Sequence, residues 1–103
     1  MAQPHISLAA EKIGELTHLD HDKTVVLGGT IASFKKIITK KSGQEMAFIR
    51  LSDLTGSIEV VVFPRTFAIT KSVLVADSVV LVKGRIEEKD DRMVLIANDI
   101  FAP

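Results

Sequence analysis

The sequence predicts a mainly β fold: a closed five-stranded barrel with a short helix between its third and fourth strands. A short helix or turn precedes the first strand. Three observations point there. Runs rich in β-branched residues recur from Thr24 onward, separated by compact turn signals. Glycines fall inside two of those runs, at Gly28-Gly29 and Gly84, where a strand can bulge or bend to close a sheet. Between the strands, only the stretch 64–74 carries helical spacing. The competing architecture is an open meander with a helix packed across it.

The elements follow in order. Residues 7–19, SLAAEKIGELTHL, place Leu8, Ile13 and Leu16 near helical spacing with Ser7 as a cap, although Gly14 weakens a helix there. DHDK (20–23) is a polar turn, so residues 1–23 read as an extension and 24–103 as the barrel. Strand one, TVVLGGTIASFKKIIT, is long, and a bend at Gly28-Gly29 would let it serve two sheets. KKSGQ (40–44) turns the chain into strand two, Met46 to about Ser52. DLTG (53–56) has Asp first and Gly fourth, as a type I turn prefers. Strand three runs from Ser57 to Phe63, and Pro64 then ends the ladder and suits the first turn of a helix. Phe63, Phe67, Lys71 and Leu74 fall on one helical stripe, so Phe63 is expected to pack against Phe67 in the core. Strand four is ADSVVLVKGRIEEK (76–89), Asp90-Asp91 turns, and strand five is RMVLIANDI (92–100).

Composition bounds the function. A chain of 103 residues with 47% apolar and 25% charged residues can bury one modest core and is not disordered. It has no apolar run long enough for a membrane helix and no secretory signal pattern. Cysteine is absent, which excludes disulfides, thiolate metal sites and a cysteine nucleophile. A cytoplasmic location fits these facts. The formal net charge is zero, which argues against tight, free-standing nucleic-acid binding, because phosphate contacts supply most of that affinity. Charge is nevertheless segregated: FKKIITKK (34–41) is basic and EEKDDR (87–92) mostly acidic. No phosphate cradle, dinucleotide fingerprint or zinc-protease motif is present, so the reading is a non-catalytic binding module without a cofactor. His18, Asp20, His21 and Asp22 form an H-x-x-H cluster, but a polar turn holds no third fixed ligand, and it reads as a solvated turn.

Three strands, a helix and two strands is the element order of the oligonucleotide/oligosaccharide-binding (OB) barrel, a Greek-key closure that removes exposed edges. The segment TKKSGQEMAFIRLSDLTGSIEVVVFP (39–64), followed by VLVKGRIEEKDDRMVLIANDI (80–100), resembles the OB domain near the C-terminal end of bacterial DNA polymerase III alpha subunits. The shared features are the lysine-glycine turn, MAF, an acidic turn with glycine, IEVVVFP, a KGR strand and a closing L-IA segment. The resemblance covers residues 24–100. That family's chain is far longer and carries catalytic carboxylates absent here, which implies either an excised domain or a small stand-alone relative. The strand–turn–strand layout is also similar to the anticodon-binding barrels of class II aminoacyl-tRNA synthetases.

Alternation over 45–63 places Ala47, Ile49, Leu51, Ile58, Val60 and Val62 inward. Phe48, Arg50, Glu59, Val61 and Phe63 face outward. OB domains bind ligand across strands two and three, between the loops joining strands one to two and four to five. Single-strand binding needs flat aromatic faces for bases and cations for phosphates. The resemblance implies that Phe48 is the stacking residue. Its alternative is burial under the N-terminal segment or a neighbouring domain. Arg50 either stacks or pairs with phosphate, or it forms a cross-strand salt bridge to Glu59. Val61 completes the platform. Lys40 and Lys41, with Lys36 and Lys35 behind them, are the expected phosphate contacts, and Lys83 and Arg85 extend them from strand four. Glu59 departs from the synthetase pattern, which has a glutamine there, and an ionised carboxylate only accepts hydrogen bonds. The acidic 87–92 loop is a poor phosphate clamp.

The expected partners are single-stranded DNA and other domains or subunits of a replicative polymerase, with no membrane. The DNA contact should be weak and sequence-tolerant, through stacking on Phe48 and lysine–phosphate pairs. A protein–protein docking barrel within the replicase, or a tRNA anticodon reader, are the alternatives.

Overall fold

A computed structural model of the chain describes residues 12–17 and 20–103. The strands are β1 (Thr24–Ile38), β2 (Glu45–Asp53), β3 (Gly56–Val62), β4 (Val79–Lys89) and β5 (Arg92–Phe101), with helix α1 (Pro64–Thr70) between β3 and β4. They close into a barrel in the order β1-β2-β3-β5-β4, with β4 returning to β1. The architecture is the expected OB fold. Every pairing is antiparallel except β3 with β5, which is parallel and seals the barrel.

β1 belongs to two ladders, as a long bent first strand should. Its first half, Thr24–Thr30, pairs with β4, and its second half, Thr30–Ile38, pairs with β2. The bulge is not at the glycines, however. Pairing slips between Ile31 and Ser33, leaving Ala32 as the extra residue. Gly29 instead permits a close crossing. A Cβ there would be driven into the backbone carbonyl of Ser52, so only a bare Cα lets β1 and β2 approach this closely. Gly84 does the same for β4 and β5, beside a second slip at Lys83/Gly84.

The interior is aliphatic. Leu27, Ile31, Ile49, Leu51, Val60, Val62, Val80, Val82, Ile86 and Leu95 are essentially excluded from water. Burial of such side chains, at about 1.5–3 kcal/mol each, is the main stabilising term. At the barrel end reached by β3, α1 docks against β2 and β5 and drops Phe67 into the core. Pro64 occupies the first turn, where its missing N–H costs nothing. The helix is shorter than the 64–74 stretch and passes into a 3-10 turn at Lys71–Val73; β4 begins at Val79, after a turn at 76–77.

Phe63 follows the strand alternation and overturns its expected place in the core beside Phe67. It is 48% exposed and does not join Phe67 in the core. With ψ of 162° it is still extended and only caps the helix, so strand alternation governs its side: Val62 in, Phe63 out.

The opposite end of the barrel is stoppered by the N-terminal segment. Among the described residues it forms a 3-10 turn, Ile13–Glu15; the expected cap Ser7 and apolar Leu8 lie outside them. Ile13 and Leu16 are buried members of the core cluster. The expected extension thus contributes side chains to the barrel interior.

Candidate functional site

Strand pairing lines up the outer face in two rows. One runs Lys35, Phe48, Val61, Ile96, Arg85, each residue opposite the next on β1, β2, β3, β5 and β4. The other runs Ser33, Arg50, Glu59, Val94, Glu87. Directly opposed residues lie about 4.5–5.5 Å apart at Cβ, so the rows form a continuous surface.

A groove of about 410 Å³ follows these rows between β2–β3 and the β4–β5 hairpin. Its apolar lining is Met46, Phe48, Val61, Phe63, Val94 and Ile96, and its charged lining is Glu59, Glu87, Lys89, Asp90 and Arg92. Met46 is buried yet stands outside the core cluster. A smaller hollow of about 180 Å³ adjoins it, lined by Ser33, Lys35, Phe48, Ile49, Arg50 and Glu59. Phe48 and Glu59 belong to both hollows, and Phe48 is half-buried, with an accessible side.

Of the residues singled out from the sequence, Phe48, Val61 and Arg50 are brought together. Arg50 and Glu59 are direct cross-strand partners, but no ion pair joins them within 4.0 Å among the described residues. Lys40 and Lys41 stand exposed on the β1–β2 turn. That turn is fixed by Thr39, which hydrogen-bonds Ser42 Oγ and the N–H of Gln44 through its side chain. Gly43 completes it at φ +67°.

The other three stand apart from this group or are engaged by acids. Lys36 pairs opposite the buried Ala47, on the other side of β1 from Phe48, and its Nζ lies 3.1 Å from Glu45 Oε2. Lys83 lies on β4, away from both hollows. Arg85 ends the first row but is held by Asp22 at 3.3 Å and Glu87 at 3.0 Å. That pairing, with His21 Nδ1 accepting the Glu88 N–H at 3.0 Å, ties the 20–23 turn to the root of the β4–β5 hairpin. Asp20 is engaged too: its Oδ2 accepts the Thr17 N–H at 2.8 Å and its Oδ1 meets Lys23 Nζ at 3.2 Å. Those bonds from Thr17 and Lys23 hold its carboxyl below the ordinary range. His18 lies outside the described residues, and no cluster that could hold a metal occurs among those described.

Three contributors gain a larger part than the sequence suggests. Lys35, expected to stand behind the loop lysines, is the cation opposite Phe48. Phe63 is a second aromatic side chain in the groove. The hairpin contributes Lys89 and Arg92 as well as acids, with the tip turned by Asp90 and Asp91 at φ 53° and 63°. Strand parity beyond Val62 carries a signal for Phe63; the face of Lys35 depends on a bulge that nothing in the sequence marks.

The family model that matches residues 25–102 is described as an OB-fold nucleic acid binding domain. DNA polymerase III subunit alpha of Mycobacterium tuberculosis (strain CDC 1551 / Oshkosh) is 42% identical over 83 residues, 81% of this chain and 7% of that protein. The same subunit of Streptococcus pyogenes serotype M6 is 32% identical over 100 residues, 94% of this chain and 10% of that one. The chain thus spans a tenth or less of these relatives. Among solved structures, an OBody bound to hen egg-white lysozyme superposes with a TM-score of 0.72 at 18% identity, covering 91% of this chain and 92% of the OBody. Asparaginyl-tRNA synthetase from Pyrococcus horikoshii, with asparaginyl-adenylate, gives 0.69 at 19% identity, over 90% of this chain and 22% of the synthetase. Those two likenesses concern the fold alone. The match over 25–102 identifies the chain as a member of the OB-fold nucleic acid binding domain family, homologous to a segment of DNA polymerase III subunit alpha.

Proposed function

We propose that this barrel is a non-catalytic module that binds single-stranded DNA weakly and with little sequence preference, serving a bacterial replicative polymerase. The observation that carries the reading is the row Lys35, Phe48, Val61, Ile96 along the open face. It sets a cation beside an aromatic ring and an apolar floor, the combination a single strand needs for its phosphates and bases. Lys40 and Lys41 continue the cationic side, and Arg50 supplies a planar donor next to Phe48. Glu59, Glu87 and Asp90 in the same groove keep the affinity low. Weak binding suffices when a module is tethered, because tethering to the polymerase raises the effective concentration of strand.

Fluorescence anisotropy with labelled oligo-dT at low salt tests this. Phe48→Ala should weaken binding by about 1–3 kcal/mol without altering the melting temperature. Wild-type affinity in that variant would remove Phe48 from the site. A second reading, a docking barrel for another polymerase domain, is favoured by the groove's three carboxylates, and it takes precedence if wild-type protein fails to bind at high micromolar concentration. The OBody, whose lysozyme complex is a protein contact, is a precedent for such a role in this fold.

A further inference from the structure

We propose that Glu59 gives this groove a preference for guanine at the position stacked on Phe48; the inference rests on reading the groove as a single-strand site. Glu59 is the diagonal neighbour of Phe48 on the outer face, because Phe48 pairs with Val61 and Glu59 lies two residues before Val61 on the same strand. Diagonal neighbours stand about 7–8 Å apart, so a base lying on the Phe48 ring presents its edge to the Glu59 carboxylate.

The other acids of the groove are less free to do this. Glu87 is held by Arg85, and Asp90 sits at the hairpin tip. Among the described residues, the Glu59 carboxylate has no ion pair or hydrogen bond, and Glu59 is only partly exposed.

An ionised carboxylate accepts and cannot donate. Guanine alone among the four bases offers two adjacent donors on its Watson–Crick edge, N1–H and the N2 amino group, which match the two carboxylate oxygens. Thymine presents one N–H flanked by two carbonyl oxygens, which the carboxylate repels. Cytosine and adenine each set one amino donor beside a bare ring-nitrogen acceptor. Guanine's O6, beside N1, is left to accept from Arg50, the direct cross-strand partner of Glu59. Bases splayed from a single strand expose these edges for reading. The result is one selective position within binding that is otherwise sequence-tolerant.

The test is anisotropy at low salt with d(TG)6, d(TI)6 and (dT)12, where inosine lacks only the N2 amino group. Wild-type protein should bind d(TG)6 about tenfold more tightly than (dT)12, the scale of one good bidentate base contact, and inosine should forfeit most of that gain. In Glu59→Gln the guanine preference should fall to about twofold or less while (dT)12 binds at least as well, since a phosphate-repelling charge is gone. Equal wild-type affinity for all three oligonucleotides overturns the assignment of Glu59 and leaves the groove as a sequence-tolerant site. A guanine preference that survives Glu59→Gln also overturns it, by giving the recognition to another group. Binding of none of the three overturns the single-strand site itself, and Glu59 with it.

Discussion

Asp53 Oδ2 accepts a hydrogen bond of 2.9 Å from the backbone N–H of Ile13, forty residues earlier in the chain. Its other oxygen accepts from the Thr55 N–H at 2.7 Å, the Thr55 hydroxyl at 2.6 Å and the Gly56 N–H at 3.0 Å. One carboxylate therefore both shapes the β2–β3 turn and pins the segment whose Ile13 and Leu16 close the barrel end. Burial resists its ionisation, but the bonds from Ile13, Thr55 and Gly56 together outweigh that, and its pKa lies below the ordinary value.

A depressed folded-state pKa contributes stability that is present above the unfolded value and lost as pH falls through the folded one. Asp53→Asn keeps the shape, loses the charge and turns one acceptor into a donor. We expect it to cost about 1–2 kcal/mol at neutral pH. The gap from wild type should narrow below about pH 4 and close at lower pH. Thermal melts followed by circular dichroism from neutral to strongly acidic pH read this directly. A gap constant over that range would mean the carboxylate charge contributes nothing.

Phe63 and Phe67 lie four residues apart yet should respond oppositely to truncation. Phe67 is 4% exposed in the core, so Phe67→Ala should cost about 3–5 kcal/mol of stability. Phe63 is 48% exposed in the groove, so Phe63→Ala should leave chemical denaturation nearly unchanged. It should instead weaken oligonucleotide binding by about 1–3 kcal/mol, as loss of a stacking ring does. If Phe63→Ala unfolds the protein as readily as Phe67→Ala, its side chain supports the barrel and not the ligand.

Gly84 is buried where β4 crosses β5, and a Cβ there would press on the carbonyl oxygen of Ile96, with the carbonyl carbon at 2.9 Å. Both obstacles are backbone, so no side chain can swing aside. Gly84→Ala should cost about 1–3 kcal/mol in a urea titration. An unchanged midpoint would show that the two strands can separate without penalty.

What can be read in advance divides along register. Within each of β2 and β3 a period of two sets the inward side, and Ala47, Ile49 and Leu51 on one and Ile58, Val60 and Val62 on the other are all buried as the alternation requires. The family match confirms the barrel built on that alternation. Faces across a bulge are not legible. Continued without a slip from the inward pair Ile31–Leu51, β1 would set Lys36 on the same side as Phe48; the extra residue Ala32 instead gives that side to Lys35. A bulge follows from how one strand must shear to serve both β4 and β2, and alanine carries no local mark of it. Phe63 matches a helical stripe, but the helix starts one residue later, so the helical period does not apply at that boundary.

The same register makes the electrostatic part of the site testable one lysine at a time. If Lys35, Lys40 and Lys41 meet phosphates, joined by Arg50 where no base engages it, about three or four contacts form, and log affinity should fall against log salt with a slope of about −2 to −3. Each contact removed should flatten that slope by about 0.7. Lys35→Ala should do so, because Lys35 stands opposite Phe48 on the ligand face. Lys36→Ala should not, because Lys36 lies on the other side of β1 and is engaged by Glu45. Affinities measured over a salt series for the two variants decide the matter. Equal flattening would mean the strand wraps both sides of β1, and a flat wild-type response would remove phosphate from the interface and leave stacking to hold the strand.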